Sequence, residues 1–217
     1  MATIDLSHPI EDGMVTYPGL PAPHLEVHLT REASREKYAP GYEFEIGGVT
    51  LVGNTGTYLD TPLHRFAGGW DLADLSIDAV ANVPGLLLSG AATGATGLEA
   101  LEHRDVAGQA VLVHTGWDAH FRTERYGDAD HPYLSEELAQ ALADRGAALV
   151  GIDSVNIDGT ADGTRPIHTI LLGAGIPIVE HLRGLEQLRG HDFTFTAVPP
   201  PFRGLGTFSV RAFATTI

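Results

Sequence analysis

Cysteine is absent from the 217 residues, which removes disulfides, thiolate metal sites and cysteine nucleophiles together. Any metal must be held by His, Asp or Glu. Basic residues are scarce as well: 13 Lys and Arg stand against 28 Asp and Glu, a formal charge of −15. That balance opposes phosphate backbones and anionic membrane surfaces at long range, so neither nucleic acid nor membrane is expected as a partner. Long apolar runs are missing too, since no window approaches the roughly 20 residues of a membrane span. The opening residues 1–7 lack a basic n-region and an apolar h-region, and a cytoplasmic protein is the simplest expectation. Internal repeats, low-complexity tracts and blocks of like charge are also absent.

What is present fits one domain over residues 1–217, long enough for a sizeable core. Short or alternating apolar runs bounded by turn residues predict strands at 3–6, 26–29, 44–52, 84–89, Ala110–His114 and 148–152. The same signal recurs at 193–198 and 207–214. Helical periodicity is confined to a few windows. The clearest is 135–145, where Ser135 can cap, Glu136 and Glu137 suit the first turn, and Leu138 and Leu142 mark an apolar stripe. Weaker helices are expected at 167–172, 94–102 and 182–189, a surface loop or lid at 30–43, and a rigid turn at the Pro-rich 198–202. The mix predicts an α/β domain built mainly on β structure.

The stretch 54–64, Asn-Thr-Gly-Thr-Tyr-Leu-Asp-Thr-Pro-Leu-His, carries the chemistry. Ordinary core segments avoid aspartate, because an unpaired buried carboxylate costs several kcal/mol. Asp60 nevertheless follows Tyr58 and Leu59, while Pro62 blocks an ordinary helix and pushes Thr61 towards extended backbone. A strand ending in a shaped loop is expected there. Asp60 alone could cap a turn, and His64 alone could be a packed ring; histidine is also the usual base near neutral pH.

Three further groups compete. Residues 151–158 carry Asp153 after a strand, where it either caps the loop or orients a catalytic group. His168 and Glu180 bracket an almost wholly apolar stretch, so both polar ends need each other, a metal or a network. Trp117, in the His-Thr-Gly-Trp run at a strand end, suits packing or substrate stacking.

Nearly end to end, the chain resembles the cyclase family of metal-dependent hydrolases, whose best-known members are bacterial kynurenine formamidases. The residues that carry the resemblance are the opening Asp5–Ile10 segment with Tyr17-Pro-Gly, the run 114–117, the run 151–154 and the segment 171–182. The family signature is His-x-Gly-Thr-His-x-Asp-x-Pro-x-His. Residues 54–64 keep Gly56, Thr57, Asp60, Pro62 and His64 but bring Asn54 and Tyr58 where the motif has histidines.

The resemblance implies a β-rich, swivelling β/β/α fold and a homo-oligomer, dimer or tetramer. It also implies two metals in the family at large. Here the first would keep only Asp60, because asparagine is a poor zinc donor and tyrosine would have to ionise from about 10. The second set, Asp60, His168 and Glu180, is complete and would hold one divalent metal, zinc or manganese. In that reading His64 is the base and Tyr58 either donates to an oxyanion or fills the vacated space. Asn54 and Tyr58 could also bond to one another. Trp117, Tyr17, Phe44 and Asn54 are candidate substrate-binding residues. The expected function is hydrolysis of a small amide, ester or lactone, formamidase-like and by resemblance placed in tryptophan catabolism. The alternative is a non-catalytic small-molecule binding protein that kept the pocket.

Overall fold

Along Ala110–His114, Ala110 and Leu112 enter one apolar cluster while Val111 and Val113 enter another, as alternation across a strand requires. A strand apolar on both faces belongs inside a covered parallel sheet. The computed structural model describes residues 1–217 and sets this strand at the middle of a nine-stranded sheet. The order is Thr3–Asp5, Phe213–Thr216, Phe193–Thr196, Val83–Ser89, Ala110–His114, Leu149–Ile152, Ile178–Glu180, Tyr58–Asp60 and Thr207–Ser209. The four strands from Val83–Ser89 to Ile178–Glu180 run parallel. The outer pairs are antiparallel. This is the mixed, sheet-dominated α/β fold expected from the sequence.

Helices Glu136–Asp144 and Pro166–Gly173 cover one face, packing Leu138, Leu142 and Leu171 on Val111, Val113 and Ile152. The first begins as predicted, with Ser135 Oγ accepting from Leu138 N at 3.2 Å. On the other face Leu59, Leu112, Val179, Leu182 and Phe195 form the second cluster.

Several expected elements differ. The run 207–214 is split between opposite ends of the sheet, as Thr207–Ser209 and Phe213–Thr216, because period-two alternation marks strand residues without saying which neighbour they pair with. Residues 94–102 form a two-residue strand and the 3₁₀ turn Leu98–Leu101, and 182–189 hold only the 3₁₀ turn Leu185–Leu188. Pro62 does not block a helix but starts one, Pro62–Arg65, at the position where its missing N–H costs nothing. Thr61 before it is extended as expected, with φ −109° and ψ 166°.

Segment 24–50 stands apart as an arm. Strand His24–Leu29 pairs only with Ile46–Thr50. The expected loop between them contains one helical turn, Arg31–Ser34, capped by Thr30 and tied by the pairs Arg31–Glu45 and Arg35–Glu43.

Candidate metal centre

Strand register assembles the site. In Tyr58–Asp60 the first and last side chains share a face. Glu180 lies directly opposite Tyr58 in one neighbouring strand, and Thr207 directly opposite Asp60 in the other. His64 follows on the turn Pro62–Arg65, and His168 comes from the first turns of Pro166–Gly173.

Asp60 is fully buried. Its Oδ1 takes a very short hydrogen bond from Thr207 Oγ1, whereas Oδ2 has no hydrogen-bond partner. A buried lone carboxylate oxygen is costly unless something positive faces it. What faces it is His168 Nε2, 3.8 Å from Asp60 Oδ2 and 3.8 Å from Glu180 Oε1. Those separations are too long for hydrogen bonds and suit donors that share one cation through bonds of ~2 Å. Asp60, His64 and His168 each offer a ligand atom within 4.8 Å of the others.

The supports of His168 point the same way. Asp158, fully buried, accepts from the backbone of Ile167 at 2.7 Å and of His168 at 3.1 Å, and meets His168 Nδ1 at 2.6 Å. A carboxylate on Nδ1 turns Nε2 towards the cluster, the usual support of a ligating histidine. Burial pushes the His168 ring down, but Glu180, Asp158 and Asp60 together outweigh it and push it up to about 10. The centre therefore calls for positive charge at this nitrogen, as a proton or as a metal ion. Burial likewise opposes the charge of Asp60, yet His168, His64 and Thr207 hold its carboxyl below the ordinary range. Glu180 is pushed up to about 7, chiefly by burial and also by Asp60, against His168, Tyr58 and the Ile157 N–H.

All four residues expected around the metal come together, with one difference in geometry. The closest triangle is Asp60, His64 and His168, while Glu180 borders it with both oxygens already bonded, Oε1 by Ile157 N at 2.7 Å and Oε2 by Tyr58 at 2.6 Å. Tyr58 is 2 % exposed, and burial with the charges of Glu180 and Asp60 keeps its phenol protonated. Its proton goes to Glu180 rather than into open space. Half-buried Asn54 stands beside the phenol and acts to lower its pKa. His64 Nδ1 meets Thr207 Oγ1 at 2.8 Å and its side chain is 35 % exposed, so the ring stands at the mouth of the site.

Of the candidate substrate residues, Asn54 stays beside Tyr58, while Trp117, Tyr17 and Phe44 go elsewhere within the chain. Trp117 is buried with Tyr126 and Val155, with Tyr17 packed against them, and its Nε1 donates to the Tyr126 carbonyl at 3.0 Å. Phe44 lies on the arm, half-exposed against Tyr38. Asp153 takes bonds from Thr115 N, Thr115 Oγ1 and Gly116 N, the capping alternative. Residues that the sequence did not single out are Thr207, His181 and Tyr126, while Asp158 closes the 151–158 group without a role assigned to it there. His181 is fully buried between the Tyr58 and Tyr126 hydroxyls, and burial, with the nearby His8 ring, pushes it down to about 3. Its adjacency to Glu180 was the available signal.

A buried carboxylate and histidine set, mounted on strand ends and open at one histidine, is the construction of a metal-dependent enzyme rather than of a packing core. The family profile described as putative cyclase matches residues 4–159, and the chain belongs to that family as one of its hydrolases. It is 28% identical to the kynurenine formamidase of Bacillus cytotoxicus, over 90% of this chain and 88% of that protein. Among solved structures, a predicted metal-dependent hydrolase from Bacillus stearothermophilus superposes with TM-score 0.74 at 25% identity, covering 98% of this chain and 97% of the other. Isatin hydrolase A from Labrenzia aggregata shares the fold with TM-score 0.82 at 20% identity, over 98% and 93%.

Proposed function

We propose that the protein hydrolyses a small amide, ester or lactone, aryl formamides first among them, at a centre reduced to one divalent metal. The single observation that carries this reading is Asp60 Oδ2, a buried carboxylate oxygen without a hydrogen bond, facing His168 Nε2 within reach of His64. Asp60, His168 and Glu180 would hold the ion, and the donor set suits zinc or manganese. Bound there, the ion would supply Lewis acidity, lowering the pKa of water from about 15.7 towards 7 and polarising a carbonyl.

The chain's own groups do the proton work. Thr207 donates its one hydrogen to Asp60 Oδ1, so its remaining contact is filled by His64 Nδ1–H. That fixes the tautomer and leaves His64 Nε2 as the basic nitrogen. His64 takes a proton from water as its oxygen bonds to the substrate carbonyl carbon, then returns it to the leaving nitrogen or oxygen as that bond breaks. Tyr58 acts through Glu180, holding its carboxylate in place.

Residues 1–217 are taken as one hydrolase domain, cytoplasmic and homo-oligomeric. No helix is long and apolar enough to cross a membrane. A two-stranded hairpin alone is marginal in water, and the arm exposes Leu25, Val27, Ile46 and Val49, by 43 to 58%; a second copy would cover it. Light scattering is expected to give a dimer or tetramer, and a monomer would remove that part.

The reaction is tested on protein purified without chelator, against a panel of aryl formamides, esters and lactones. One metal equivalent and hydrolysis lost in Asp60→Asn are expected. Protein free of metal, with no hydrolysis stimulated by added zinc or manganese, would favour the binding-protein alternative instead.

A further inference from the structure

Behind Glu180 runs a line of buried polar side chains. The Tyr126 hydroxyl is 2.8 Å from His181 Nδ1, His181 Nε2 is 3.2 Å from the Tyr58 hydroxyl, and that hydroxyl donates to Glu180 Oε2 at 2.6 Å. Each bond has a direction. Tyr58 owns one proton, and the shortest contact, to a carboxylate, takes it because charge-assisted bonds are roughly twice as strong as neutral ones. The contact from His181 must then be donated by Nε2–H. The His181 ring is fully buried and its nitrogens meet only the two phenols, so it is neutral with a single N–H. Nδ1 is consequently bare and accepts from Tyr126.

We propose that Tyr126, His181 and Tyr58 form a one-way donor chain that ends on Glu180, with Tyr126 and His181 as positioning residues that keep the Tyr58 proton on Glu180 Oε2. The Ile157 N–H holds the other oxygen, so the carboxylate is clamped with Oε1 towards His168. Trp117 anchors the far end through its bond to the Tyr126 carbonyl. That end also lines a cavity of about 460 Å³ with Met14, Thr16 and Arg122, so the chain runs from the cavity to the metal centre. It gives His181 a purpose that packing does not: a leucine would fill the space but leave the Tyr126 hydroxyl without its acceptor and the Tyr58 oxygen without its donor from the ring. The kinetic consequence rests on the hydrolase reading, whereas the hydrogen-bond direction does not.

The test is long-range ¹H–¹⁵N NMR of histidine-labelled full-length protein, with the His181 ring identified from its loss in His181→Gln. The wild type is expected to show a neutral Nε2–H tautomer, and Tyr126→Phe, which removes the terminal donor, to keep that tautomer while the resonance of the bare Nδ1 moves through loss of its hydrogen bond. A wild-type ring in the Nδ1–H form, an imidazolium, or no change in Tyr126→Phe would each overturn the proposal. Tyr126→Phe should lower kcat about 3- to 10-fold with KM unchanged. His181→Gln retains a donor for Tyr58 and should keep most of kcat, while His181→Leu should lose about 10-fold or more. Equal losses in the two variants would also overturn it. Absence of hydrolysis in every sample would remove the functional reading above and leave the tautomer result to decide the donor chain.

Discussion

Gly206 lies directly against the backbone of His64: a Cβ added to it would sit 2.3 Å from His64 N and 2.7 Å from His64 Cα. Its carbonyl takes the Thr61 N–H at 2.7 Å, so the turn carrying the candidate base is built onto this glycine. Gly206→Ala is expected to push that turn outward, lowering kcat about 10-fold or more and costing about 1–3 kcal/mol of stability. Steady-state kinetics and denaturant melts measure both, and a variant of wild-type activity would show that the turn does not set His64.

Thr207 joins Asp60 to His64 through one hydroxyl. Thr207→Val keeps the shape but strands a buried carboxylate oxygen and frees the His64 tautomer. A loss of about 1–3 kcal/mol in stability is expected, with a larger fall in kcat than in KM. Thr207→Ser should restore most of both, and failure of that rescue would assign Thr207 to packing alone.

Asp158 touches His168 Nδ1 and no other candidate ligand. Asp158→Asn is expected to weaken zinc or manganese binding about 10- to 100-fold. Competition titration against a chromophoric chelator reads this without any substrate, and unchanged affinity would count against His168 as a ligand.

His8 stacks on Phe121 with ring centroids 3.6 Å apart. Burial, then the charges of Arg183 and Arg122, push it down to about 4 from an ordinary 6.5. The unfolded chain therefore binds a proton that the folded chain refuses between these values. Stability from this group is complete above pH 6.5 and is lost as the pH falls through about 4, by about 3 kcal/mol. Melts at pH 7 and pH 4.5 should show a smaller acid loss for His8→Phe than for the wild type; equal losses would refute the assignment.

Much of this was legible in the sequence. Asp60, His64, His168 and Glu180 announce themselves because carboxylates and histidines interrupt apolar runs, and the structure brings them into one cluster. Thr207 was not legible, since a threonine in a strand is ordinary and only pairing opposite Asp60 makes it a ligand support. The split of 207–214 was hidden for the same reason. Trp117 and Phe44 look like substrate residues by type, yet type says nothing of whether a ring packs inward, as Trp117 does, or stands on an arm, as Phe44 does. Pro62 misled because proline both stops and starts helices.

The register of three neighbouring strands, Thr207–Ser209, Tyr58–Asp60 and Ile178–Glu180, fixes Asp60, Tyr58, Glu180 and Thr207 at once. A slip of one residue in any of them would turn its polar side chains to the opposite face. The reactive groups thus form an inheritance held in common, which no single substitution can slide or enlarge. Changes in what such a protein accepts must come from residues outside this register, which can be rewritten while it stands.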